Sequence, residues 1–230
     1  MKGAAAIASL AFALFSPIAA QSLGQVVPVE PAAGASVGAK PLLKIRVEAD
    51  DVDAMTFRIA LSRDGFRTEA FVFDQREDAN GWAWVPHGDE RGVVYRVRTP
   101  LAEGVWEWKV WVWNGIEWTP GERSSSFAVD VVPPADVDGV EMSLDRARGK
   151  VELRWAPVVT DRFGRPERVR KYHVYRWEKK TFFAPMRVFG IGESETNWFE
   201  DADARVRDSP VLFYMVVAED EAGNEAGRRY

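Results

Sequence analysis

Two histidines, no cysteine and a crowd of tryptophans set the chemistry open to this chain. His87 and His173 are the only imidazoles, and with no cysteine there can be no disulfide, thiolate metal site or thiol nucleophile. His87 stands in Pro86-His87-Gly88-Asp89, which reads as a turn. His173 alternates with Tyr172 and Val174 and reads as the outward residue of a strand. Neither has a second metal ligand or a nucleophile beside it in sequence. Glycine-rich phosphate loops, nucleophile elbows and paired zinc histidines are absent. Glycoside hydrolysis needs only two carboxyls at the right separation in space, but nothing marks such a pair among 35 acids. No catalytic residue, metal or cofactor is assigned, and the chain reads as non-enzymatic.

Tryptophan is the feature that stands out. Seven of the ten fall between Trp82 and Trp118. In Gly104–Asn114, strand geometry puts Trp106, Trp108, Val110 and Val112 on one face and Glu107, Lys109, Trp111 and Trp113 on the other. The first set is wholly apolar and is the expected core face. The second sets two indoles on the solvent face, where exposed apolar area marks an interaction site. Met55, Phe57, Ile59 and Leu61 alternate in the same way, which sends Thr56, Arg58 and Ala60 outward. If the two strands are neighbours, Arg58 can stack on an exposed indole. Trp118 in the following turn, with Trp82 or Trp84, would extend the patch. Trp111, Trp113, Arg58 and Trp118 are therefore the candidate ligand-binding residues. Such a patch suits the faces of a polysaccharide or a protein partner, an envelope protein for instance. The competing reading is that neighbouring side chains or a second domain cover the indoles.

Other clusters carry less. Residues 161–180 hold eight basic and three acidic residues with aromatics between them. A loop and a strand with one solvated face explain this better than a site for an anionic glycan or nucleic acid, because residues 132–230 as a whole hold 17 basic and 18 acidic residues. Asp50, Asp51 and Asp53 lack the spacing of a calcium loop and read as a polar turn. Asp220 with Asn224 frames a turn at Gly223.

The elements that must position these residues are strands. Leu42–Val47, Met55–Leu61, Glu69–Phe73, Val93–Val97, Gly104–Trp113 and Ser126–Val129 form one series, punctuated by turn residues such as Asn114-Gly115. Val131-Val132-Pro133-Pro134 breaks it, since two prolines cannot sit in a central strand. A second series follows at 151–155, 171–177, 186–191, 197–200 and 211–218, with only 226–230 left for a last strand. The expectation is all-β, with two tandem sandwiches at 21–131 and 132–230.

Residues 1–20 carry Lys2, an apolar run and a small-residue end at Ala19-Ala20, the layout of a signal peptide cut after Ala20. A retained anchor would need a longer uninterrupted run, and Pro17 interrupts this one. Export to the periplasm, cell surface or medium is expected, with no membrane span in the mature chain. Export without cysteine means each domain must stand on its apolar core.

Gly149–Trp155, Tyr172–Arg176 and Val216–Glu225 resemble the bacterial fibronectin type III family over 132–230. Gly104–Val110 and Ser126–Asp130 are similar to the last two strands of that family or of an immunoglobulin-like relative, a weaker match over 26–130. The resemblance implies a two-sheet, seven-strand sandwich for each domain. Trp106 and Leu212 stand where the family carries the tyrosine that opens its sixth strand.

Overall fold

The computed structural model describes residues 25–48, 55–87, 90–113, 115–178, 187–208 and 211–227. The proposed signal peptide and the Asp50–Asp53 cluster lie outside them.

The first series folds as nine strands: β1 Gln25–Glu30, β2 Ala35–Val37, β3 Leu42–Glu48, β4 Thr56–Ser62, β5 Phe71–Asp74, β6 Trp82–His87, β7 Glu90–Arg96, β8 Gly104–Trp113 and β9 Trp118–Val129. One sheet runs β1-β3-β7-β6 and the other β2-β9-β8-β4-β5. The alternating residues of both sheets point between them. Leu43, Ile45, Phe57, Ile59, Leu61, Trp108 and Val110 are fully buried there, and Trp106, Val112 and Phe127 nearly so. Ser62 and Ala60 are also sealed, although alternation turns Ala60 outward; it stands in the sheet between Val72 and Lys109.

The second series contributes β10 Glu141–Asp145, β11 Lys150–Arg154, β12 Val169–Glu178, β13 Arg187–Ser194, β14 Trp198–Asp201, the single-turn α1 Arg205–Asp208 and β15 Leu212–Asp220. The sheets are β10-β11-β14 and β13-β12-β15. Val151, Leu153, Trp155, Tyr172, Val174 and Ala218 form a separate core. No strand pairing links the two series among the described residues. The architecture is two immunoglobulin-like β-sandwiches in tandem.

Strand number departs from the seven expected in each. The first sandwich has nine because β1 and β2 sit in opposite sheets and β6 forms an additional edge. The second shows six among the described residues, with one bridge from Glu219 to Glu225 where a seventh would begin.

At the junction, the Asn224 amide donates to the Asp130 carbonyl at 3.2 Å. Arg165 links Asp161 at 2.6 Å and Glu103 of the first sandwich at 3.0 Å.

Candidate functional site

The pairing register brings the candidate residues together on the outer face of the β2-β9-β8-β4-β5 sheet. Arg58 on β4 lies directly opposite Trp111 on β8, and Trp113 lies opposite Trp118 on β9. Trp118 therefore opens a strand rather than standing in a turn. Arg58 sets its guanidinium 5.7 Å from the Trp111 ring centre and pairs with Glu69 at 3.0 Å. Trp113 and Trp118 meet edge to face, with centroids 5.5 Å apart and planes crossing at 63°.

Two residues of this face escaped the sequence reading, Arg76 and Phe66. Arg76, just beyond β5, lies 4.6 Å from the ring centres of both Trp113 and Trp118. Phe66 meets Trp111 edge-on at 6.4 Å, and the Lys109 ammonium lies 5.1 Å from the Phe66 centroid. The outer face is thus an alternation of cations and rings: Lys109, Phe66, Trp111, Arg58, then Trp113, Arg76, Trp118. Nothing local in sequence announces Arg76 or Phe66, because turns well away from β8 deliver both.

Each turn has its own cause. Asp74 accepts the Arg76 backbone N–H at 2.9 Å and its guanidinium at 3.0 and 3.2 Å, which fixes Arg76 over the indoles. Burial pushes the Asp74 carboxyl up, but the Arg76 hydrogen bonds and charge outweigh burial and hold it below the usual range. In the β4–β5 turn, Phe66 has φ of +62°, a left-handed value uncommon outside glycine. The Ser62 hydroxyl accepts its N–H at 3.0 Å. Asp64 accepts the Thr68 N–H and hydroxyl and the Ser62 hydroxyl, which lowers its carboxyl to about 2.

Trp111, Trp113, Trp118 and Arg58 are half-buried. Guanidiniums and neighbouring rings cover the indoles. Trp82 and Trp84 do not extend the patch. They belong to β6 in the opposite sheet, where Trp82 is buried and Trp84 meets the core ring of Phe57 edge-on at 5.9 Å.

The basic run of the second sandwich is largely compensated. Arg165 pairs with Asp161 and Glu103, Arg168 with Glu221, and Lys171 with Glu193 and Glu219. Arg176 is fully buried against Asp201 and Asp203. His173 lies on the outer face of β12, half-buried between Glu193 and Glu219. Its ring nitrogen and the carboxylates of Glu219 and Glu225 are one of two groupings with metal-ligand spacing among the described residues; Asp130, Glu167 and Asp220 at the junction are the other. Hydrogen bonds already engage both: His173 Nε2 with Glu219, and the Asn224 amide with Asp220. His87 ends β6 and pairs in register with Glu90, so it belongs to a hairpin rather than to a free turn.

Strand order and the two cores define the class: tandem immunoglobulin-like sandwiches. No family model matches the chain, and no curated protein does. Among solved structures it is similar to a complex of Dpr2 Ig1-Ig2 with DIP-Theta Ig1-Ig3, at 14% identity, over 87% of this chain and 63% of that one, with a TM-score of 0.25. It is also similar to DIP-gamma IG1+IG2, at 8% identity, over 87% of this chain and 93% of that one, with the same TM-score of 0.25. The chain thus spans less than two thirds of the first of these. Likeness at this level carries no functional argument, and the class rests on the strands themselves.

Proposed function

We propose that this is an exported, non-catalytic binding protein that holds a protein partner against the outer face of its first sandwich. The observation that carries the reading is the Arg76 guanidinium set 4.6 Å from two indoles, on a face that is half-open to solvent. Tryptophan and arginine dominate the energetic centres of protein interfaces. Beside them, at the tip of the β8–β9 hairpin, Ile116 is 86% exposed. A polysaccharide is the less favoured ligand. Sugar rings stack on flat, open indole faces, whereas these indoles cross at 63° and carry guanidiniums over their faces. Export rests on the pattern of residues 1–20, and an envelope partner follows from export. The finer likeness of the second sandwich to bacterial fibronectin type III domains rests on the motifs at 149–155, 172–176 and 216–225.

The test pairs two assays on the full chain. A photo-crosslinking phenylalanine derivative at position 116, introduced in the producing cell, is expected to capture one discrete protein, and Arg76→Ala to abolish the capture. Retention on cellulose, chitin, xylan and peptidoglycan is expected to be absent. Retention lost in a folded Trp111→Ala/Trp113→Ala variant would overturn the protein-partner reading in favour of the polysaccharide.

A further inference from the structure

Among the described residues, the second sandwich is open along one side. In β10, Met142 and Leu144 pair in register with Leu153 and Val151, and paired residues share a face. Leu153 and Val151 are core residues, so Met142 and Leu144 point inward too, yet they are 55% and 41% exposed. Between β10 and the start of β15 lies a groove of about 530 Å³, with Val151, Val206, Val211 and Leu212 on its walls and Arg146 and Arg207 on its rim.

The first sandwich shows what closes the equivalent space. There β9 lies antiparallel on β8 and passes across β1, with Gly121 so close to the Val26 carbonyl that an added Cβ would sit 3.2 Å from it. Val26 is 3% exposed as a result. Beside β15 the corresponding strand is only begun. The Ala226 N–H donates to the Ala218 carbonyl at 2.8 Å, and Glu219 bridges Glu225. From Leu212 to Val216 the edge has no partner among the described residues. In an antiparallel ladder, successive residues turn their N–H and C=O to alternate sides. Since Ala218 faces the open side, Val216, Tyr214 and Leu212 do so as well.

We propose that this edge is a peptide-binding site: an extended segment of another polypeptide adds antiparallel to Leu212–Val216 and fills the groove with alternate apolar side chains. Main-chain hydrogen bonds supply the affinity of such strand addition, and pockets for alternate residues supply its specificity. The rim sets the chemistry of the ligand. Arg146 and Arg207 make no ion pair among the described residues, and no carboxylate is among the described residues that line the groove. The incoming segment therefore carries an acidic side chain or its terminal carboxylate at the Arg146–Arg207 end. This site lies on a different sandwich from the indole face and stands independently of it.

The probe is a random twelve-residue peptide library displayed on phage and selected on the full chain. Enriched peptides should alternate apolar residues and carry an acid. A synthetic copy of the dominant peptide should slow amide exchange at Leu212, Tyr214 and Val216 at least tenfold. Met142→Glu/Leu144→Glu should weaken its binding at least tenfold; both side chains are already exposed, so the fold tolerates the change. Arg207→Glu should weaken acidic peptides several-fold. The proposal is overturned by no enrichment, by equal binding to the double variant, or by enriched sequences without the alternating pattern. Strong protection of the three amides in the free protein also overturns it, because the chain's own terminus or a second copy would then hold the edge. Dilution of the sample separates those two occupants.

Discussion

Arg176 is the residue on which the second sandwich leans hardest. Its guanidinium is fully buried, 2.5 Å from Asp201, and the Tyr214 hydroxyl donates to the same carboxylate at 2.8 Å. Burial and the neighbouring Asp201 carboxylate push the Tyr214 phenol above its ordinary value. A buried charge that loses its chief partner is severely destabilising, even with Asp203 still 3.5 Å from the guanidinium. Asp201→Ala is expected to cost about 3–5 kcal/mol, read from the urea midpoint at pH 7. Asp64 is an exposed counterpart whose pH dependence has a definite sign. Its folded-state carboxyl is lowered to about 2 from 3.8, so its contribution is fully present above pH 4 and lost as the pH falls from there toward 2. Asp64→Asn should flatten that part of the acid limb of the stability curve. Alternation discloses the core and solvent faces of β8 and the outward side of Arg58, while the register that sets Arg58 opposite Trp111 comes from the structure. Arg76 and Phe66 were not legible, because side-chain hydrogen bonds in turns aim them and no periodicity records such bonds.

At the scale of the element, a tryptophan does the work expected of a tyrosine. The indole N–H of Trp106 donates to the Ala102 carbonyl four residues back at 2.9 Å, so the loop entering β8 is pinned to the strand. Trp106→Phe keeps the ring's burial and removes the bond. It is expected to cost about 1 kcal/mol by chemical denaturation, with the face of Trp111 and Trp113 undisturbed. The strands missed or shortened in the sequence have causes of their own. β9 contains Pro120-Gly121, which signals a turn, yet the strand runs through it. Its pairing with β8 shifts register between Lys109 and Trp111, and its other neighbour, β2, reaches only Phe127–Val129. A proline is tolerated where no partner needs its N–H. β6 hides its strand character behind Pro86 and its position at a sheet edge. β10 does alternate polar and apolar residues over Glu141–Asp145, but the run is only five residues long and escaped the sequence reading.

For the whole molecule, the junction between sandwiches concentrates like charge. Burial pushes the Glu167 carboxyl above its ordinary value, and Asp130, Asp220 and Asp161 push it further, against the Arg168 N–H that lowers it. Asp220 is raised as well, by burial first and then by Asp130, although Asn224 opposes this. An acid whose folded value is raised keeps its proton longer in the native state, so stability rises as the pH falls through the window between unfolded and folded values. Glu167→Gln should therefore raise the melting temperature at pH 7, and the gain should shrink as the buffer is taken down through the folded-state value. Calorimetry at several pH values checks both limbs. The tandem division was legible from Pro133-Pro134 and from the two strand series. The junction's chemistry was not, because its carboxylates come from positions 130, 167 and 220 and converge only in three dimensions.

The short parallel pairing of β2 with β9 has a mechanical meaning. Ala35–Val37 lies alongside Phe127–Val129, flanked by bonds from the Gly34 N–H to the Ser126 carbonyl at 2.8 Å and from the Asp130 N–H to the Val37 carbonyl at 2.9 Å. One strand lies near the entry to the first sandwich and the other at its exit. Tension between the two ends pulls these parallel strands in opposite directions along their length, so the bonds are loaded together in shear rather than opened one after another. Under such tension the first sandwich would resist through this patch of bonds. In a tethered stretching experiment, Val37→Pro, which removes a backbone donor from the patch, should lower its rupture force.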